Sequence, residues 1–162
     1  MLLGPHMLVG AAIAASAPNI FPGLLFAFLS HFILDRIPHW EYSVEPLKQM
    51  KTKGVKYCMP VLRRIILDLI LGLITLLAAA SLSKNDASFA IYILGAGFAV
   101  LADGFSFILF LAPKNAMLSK FLRSFYVLHQ RIHFNKKTRP PLRIGLSTQA
   151  IAVLLALYFI VF

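Results

Sequence analysis

His6, His31, Asp35, Asp68, Asp103 and His129 lie in or beside apolar stretches, where an ionisable side chain costs about 3 kcal/mol on insertion scales and needs a partner. His31 and Asp35 are four residues apart. In a helix that spacing puts an imidazole and a carboxylate on one face, able to share a metal ion. Three His and three Asp form a plausible ligand set for one or two zinc-like ions with a bound water. Such an ion lowers the pKa of its water toward neutrality and polarises a phosphoryl or carbonyl oxygen, which is the chemistry of hydrolysis. His6, His31, Asp35, Asp103 and His129 are the candidate ligands. A carboxylate left out of the ligand set would act as general base, with Asp68 or Asp103 the obvious choice.

Plainer readings stand beside these. His6 is solvated at an interface if it lies close to a chain end. Asp68 pairs with Arg64, one helical turn earlier. His39, Trp40 and Tyr42 form an interfacial belt, and His133, among Arg131, Lys136 and Lys137, reads as displayed on the surface. Gly95, Gly97 and Gly104 allow helices to pack closely. Asp103 is harder to explain away, because no basic residue lies between Lys84 and Lys114. It needs a partner from another helix, and His31 or His6 would serve.

The elements that must position these residues are helical and apolar. The chain has 162 residues, 59% of them apolar, with a mean hydropathy of +0.79, and reads as one membrane-embedded domain over 1–162. No Asp, Glu, Lys or Arg precedes Asp35. The runs Ile65–Leu82, Ala87–Ala112 and Leu146–Phe162 are long enough, or nearly so, to cross roughly 30 Å of hydrocarbon. Pro18, Pro22 and Gly23 break the first apolar stretch into two short helices. The patterning predicts helices over 6–17, 22–37, 61–82, 87–112, 115–134 and 142–162, with a polar segment 39–60 holding at most a short helix. The 115–134 segment alternates apolar and basic residues at helical spacing and is expected to lie along the membrane surface. Ala15-Ser16-Ala17 looks like a signal cleavage site, but no basic segment precedes it and hydrophobicity resumes at once, so the stretch is expected to be retained.

His6 precedes Pro18 by nearly as many residues as His31 follows Pro22, so an antiparallel hairpin puts both at similar height. A single kinked span would put them on opposite sides. Asp68 follows Arg64 closely and Asp103 precedes Pro113, so both approach the same layer. The net charge of +10 comes from basic residues that, apart from Lys84, lie between Arg36 and Arg64 or between Lys114 and Arg143. Basic loops of this kind favour the cytoplasmic side. The charge is therefore topology, with attraction to anionic headgroups of about 1 kcal/mol per basic residue, and does not imply a nucleic-acid partner. Cys58 is the single cysteine, so no intrachain disulfide forms.

His6-Met-Leu-Val-Gly-Ala-Ala, followed by Ser30-His31-Phe-Ile-Leu-Asp35-Arg-Ile-Pro38-His39-Trp40, resembles the membrane-bound metal-dependent hydrolases, also described as LexA-binding, inner-membrane-associated hydrolases. The resemblance covers residues 1–42. It implies a metal site using His6, His31 and Asp35, and more loosely Asp103. The His31-x-x-x-Asp35 spacing is also similar to ligand pairs in the zinc-dependent phospholipase C group of helical phosphodiesterases. Larger members of the hydrolase family carry an acidic segment after the first helix. Here that turn is Ala17-Pro18-Asn19-Ile20, with no acid, which speaks against a full dinuclear site.

The expectation is an all-α polytopic membrane bundle with an N-terminal helical hairpin and a cytoplasmic-side amphipathic helix, in the cytoplasmic membrane. Its expected function is metal-dependent hydrolysis, with zinc the expected ion and a lipid-headgroup phosphoester the expected substrate. Leu24, Phe28, Phe105 and Phe107 are candidates to contact acyl chains. The alternative is a scaffold or small transporter subunit whose His and Asp residues make interhelical hydrogen bonds.

Overall fold

The computed structural model describes residues 1–112, 117–133 and 140–162. The expected helix stop at Pro113, the ends of the 115–134 helix, and Lys114, Lys136, Lys137 and Arg139 lie outside the described residues.

The described residues form eight helices and no strand: α1 (Leu3–Ser16), α2 (Ile20–Arg36), α3 (Glu45–Lys48), α4 (Met50–Lys53), α5 (Val55–Ser81), α6 (Phe89–Leu111), α7 (Met117–Ile132) and α8 (Leu142–Val161). α1 and α2 form the antiparallel hairpin, joined by a turn of only three residues. Pro22 falls inside the first turn of α2, where its missing N–H is one of the unpaired donors in any case.

α5 differs most from expectation, starting six residues before the expected position 61. Gly54 breaks the preceding turn with φ 79°, and α5 then runs through Pro60. So near a helix start, the proline removes a single backbone hydrogen bond. The polar segment ahead of it folds into two helical turns, α3 and α4, rather than one.

α1 is apolar on every side and is the central helix, packed against α2, α5, α6 and α8. A helix without a polar face belongs in an interior. Met7, Leu8 and Ala11 meet Leu76 of α5, Tyr92 and Ala96 of α6, and Ala156 and Ile160 of α8 in one core. The outer surface is apolar as well. Ile33, Leu71, Ile74 and Leu154 are each between 59% and 67% exposed. α6 and α8 are long and apolar enough to cross a membrane, yet only 28% and 22% of their most apolar windows is buried. The core helix of a water-soluble protein would bury most of that surface.

The start of α1 is capped from another helix. Asp68 accepts hydrogen bonds from the backbone N–H groups of Leu3 (2.6 Å) and Gly4 (3.1 Å), and the Tyr42 hydroxyl donates to it at 3.4 Å. Burial, together with the neighbouring Asp68 carboxylate, pushes the Tyr42 hydroxyl above its ordinary pKa, so it remains a donor at neutral pH. Asp68→Ala leaves two helix-start donors unpaired and should destabilise the fold by about 1–2 kcal/mol. Metal content of the purified variant should be unchanged. Loss of metal without loss of stability would assign Asp68 to the site instead.

Candidate metal centre

The hairpin brings the first polar residues together. His6 on α1 stacks on His31 of α2 with ring centroids 4.2 Å apart, and its Nε2 lies 3.2 Å from Asp35 Oδ1. His31 Nε2 lies 3.2 Å from Asp35 Oδ2, one helical turn away. A kinked single span would have separated these rings by the length of two helices.

α7 supplies the next pair. Phe125 packs against Phe32 of α2 and Phe105 of α6, which turns His129 inward until its Nε2 is 3.0 Å from Asp35 Oδ2 and 3.1 Å from His31 Nε2. His133 continues the last turn of α7 through a hydrogen bond from its N–H to the His129 carbonyl. Its Nε2 is 3.5 Å from Asp35 Oδ2. Phe28 and Phe105, expected to contact acyl chains, both pack against Phe125.

The strap of residues 37–44 brings the fifth histidine. α8 holds this strap: Thr148 Oγ1 donates to the Pro38 carbonyl at 2.7 Å, and Gln149 Nε2 donates to the Trp40 carbonyl at 3.0 Å. His39 Nε2 thereby lies 3.9 Å from Asp35 Oδ1. The chain has five histidines, and all of them reach within 3.9 Å of this one buried carboxylate. His39 and His133 are buried, at 5% and 8% exposed. They are neither an interfacial belt nor displayed on the surface.

Proton positions follow from the partners. A carbonyl only accepts, so His31 Nδ1 donates to Ala99 O at 2.8 Å and His39 Nδ1 donates to Ile37 O at 2.7 Å. In the neutral imidazoles this leaves both Nε2 lone pairs aimed into the cluster. A lone pair facing a carboxylate is repulsive unless a cation, either a proton or a metal ion, lies between them. Carbonyl acceptors behind metal-binding imidazoles fix the ring in the same way. Four ligands at 2.0–2.1 Å around a tetrahedral ion sit roughly 3.3 Å from one another, close to the 3.0–3.2 Å separations around Asp35 Oδ2. His6–His31–Asp35, His31–Asp103–His129 and Asp35–His39–His133 each bring their ligand atoms within 4.8 Å of one another. These buried groups can hold a metal ion. His6 Nδ1 is buried without a hydrogen-bond partner among the described residues, a cost of about 1–3 kcal/mol.

Asp103 is the outer member of the site. Its Oδ1 lies 3.9 Å from His31 Nε2 and its side chain is 38% exposed. It faces a cavity of about 440 Å³ whose polar end holds Asp35, His129 and His133 and whose walls include Leu47, Leu62, Ile65, Phe107 and Phe110. Phe107 is the one expected acyl-contact residue on that wall. Of the expected site residues, His6, His31, Asp35, Asp103 and His129 come together, while Asp68 sits at the start of α1. The α-amino group of Met1 also reaches the cluster, 2.7 Å from Asp35 Oδ1 and 2.6 Å from His39 Nε2.

No protein-family model, curated protein or solved structure matches the chain.

Proposed function

We propose that this protein is a membrane-embedded, metal-dependent hydrolase acting on a phosphoester at the head of an apolar-tailed substrate. The convergence of every histidine on Asp35 carries this reading, because five imidazoles sharing one buried carboxylate fit an ion better than they fit a packed core. Nitrogen and carboxylate donors at tetrahedral spacing favour zinc. When bound, the ion supplies a Lewis acid for a phosphoryl oxygen and an acidified water. His31, His129 and Asp35 hold it. Asp103, partly exposed on the cavity side, takes a proton from the attacking water.

The apolar outer faces of α5, α6 and α8 support a multi-pass arrangement. Arg36, Lys48, Arg131 and Arg143 lie at the ends of α2, α3, α7 and α8, and basic residues of this kind favour a site that opens at the cytoplasmic face. A headgroup lies at that depth, and the cavity gives its tail an apolar path. Each buried methylene is worth about 0.8 kcal/mol. Lengthening a phosphoester's tail by four methylenes should therefore lower KM on the order of a hundredfold, with kcat little changed. Activity that requires added zinc and shows this dependence in a phosphate-release assay supports the reading. Zinc-loaded protein that hydrolyses no phosphoester of any chain length rejects it.

A second reading is favoured by one contact. His31 Nδ1 of α2 donates to the Ala99 carbonyl of α6 at 2.8 Å, a polar interhelical contact that needs no metal, as in a scaffold. In that case chelation leaves stability unchanged.

A further inference from the structure

The two oxygens of Asp35 face different partners. Oδ2 faces His31, His129 and His133, the first two of which also approach Asp103, and Oδ1 faces His6 and His39. On the strap side lie His39 and His133, whose Nε2 atoms are 3.6 Å and 3.4 Å from Glu41 Oε2. Their rings are 5.1 Å apart, and both reach Asp35. His39 Nε2 is a lone pair, because Nδ1 donates to the Ile37 carbonyl. Two imidazoles and two carboxylate oxygens thus surround one small space beside the first centre.

We propose that His39, His133 and Glu41, with Asp35 shared as a bridge, form a second divalent-cation position. The inference rests on the metal-centre reading above and extends it from one ion to two. A second observation points the same way: the ligand atoms of Asp35, His39 and His133 all lie within 4.8 Å of one another. Paired sites of this kind clamp both the attacking and the leaving oxygen of a displacement.

The experiment counts ions. Full-length protein in detergent is loaded with manganese, freed of excess and assayed by elemental mass spectrometry and electron paramagnetic resonance. Wild type should carry two ions per chain and show an exchange-coupled spectrum. His39→Gln with His133→Gln should carry one ion and show only the isolated-ion spectrum, with near-native circular dichroism. Glu41→Gln alone, a milder change, should weaken the second ion at least tenfold. A single ion in wild type, untouched by these substitutions, overturns the second position and leaves the first centre standing. Two coupled ions retained in the double variant overturn the assignment to these residues. No ion in wild type removes the metal-centre reading and this inference together.

Discussion

Asp35→Asn should strip the protein of its metal and reduce phosphoester hydrolysis to background, while the helices stay assembled. The substitution keeps volume and shape but removes the charge that all five imidazoles approach, at 3.0–3.9 Å. Outer-shell partners of metal ligands are each worth about 10–100-fold in affinity. Losing a central, shared first ligand should exceed that, so metal bound at micromolar supply should fall from stoichiometric to trace. Elemental mass spectrometry on the purified variant measures this directly. Unfolding in detergent separates the two functional readings. A scaffold would lose stability, since Asp35 would be the anchor of its interhelical bonds, and chelation of wild type would change nothing. A metal centre would lose its ion, and chelated wild type would unfold like the variant. An Asp35→Asn protein that keeps its metal would reject the centre.

The break between α1 and α2 was legible from Pro18 and Pro22, whereas the choice between a hairpin and one kinked span turned on packing that no local pattern fixes. The shared face of His31 and Asp35 was legible from their spacing alone, because four residues make one helical turn whatever surrounds them. His39 and His133 were not. Each lies beyond the end of its helix, so its direction is set by contacts distant in sequence: α8 holding the strap at Pro38 and Trp40, and Phe125 setting the roll of α7. The basic neighbours of His133 misled for the same reason, since Arg131 is exposed on another face and says nothing about where the imidazole points. Asp68 misled differently. Its depth suggested the site, but its acceptors are taken by the unpaired N–H groups at the start of α1. No local pattern signals a cap supplied from a helix more than sixty residues away.

The glycines of α6 show how packing and site are coupled. A Cβ on Gly95 would lie 2.5 Å from both the Gly10 carbonyl oxygen and the Ala14 Cβ, whereas one on Gly97 meets nothing within 4 Å. Gly10 makes the reciprocal approach, with its Cβ position 2.3 Å from the Ala99 Cβ. α1 and α6 therefore touch backbone to backbone, and backbone cannot swing aside as a side chain can. Overpacking a core costs about 1–3 kcal/mol where side chains give way, so Gly95→Val should reach or exceed the top of that range. The consequence extends to the metal. Ala99, one turn along α6, accepts the hydrogen bond that orients His31, and forcing α6 off α1 draws that carbonyl away. Gly95→Val should thus lower metal affinity about 10–100-fold in whatever fraction folds, besides lowering the detergent unfolding midpoint. Gly97→Ala, in open space on an exposed face, should keep full metal content and gain up to about 1 kcal/mol from helix propensity. If the two variants behave alike, the α1–α6 contact does not set the position of His31.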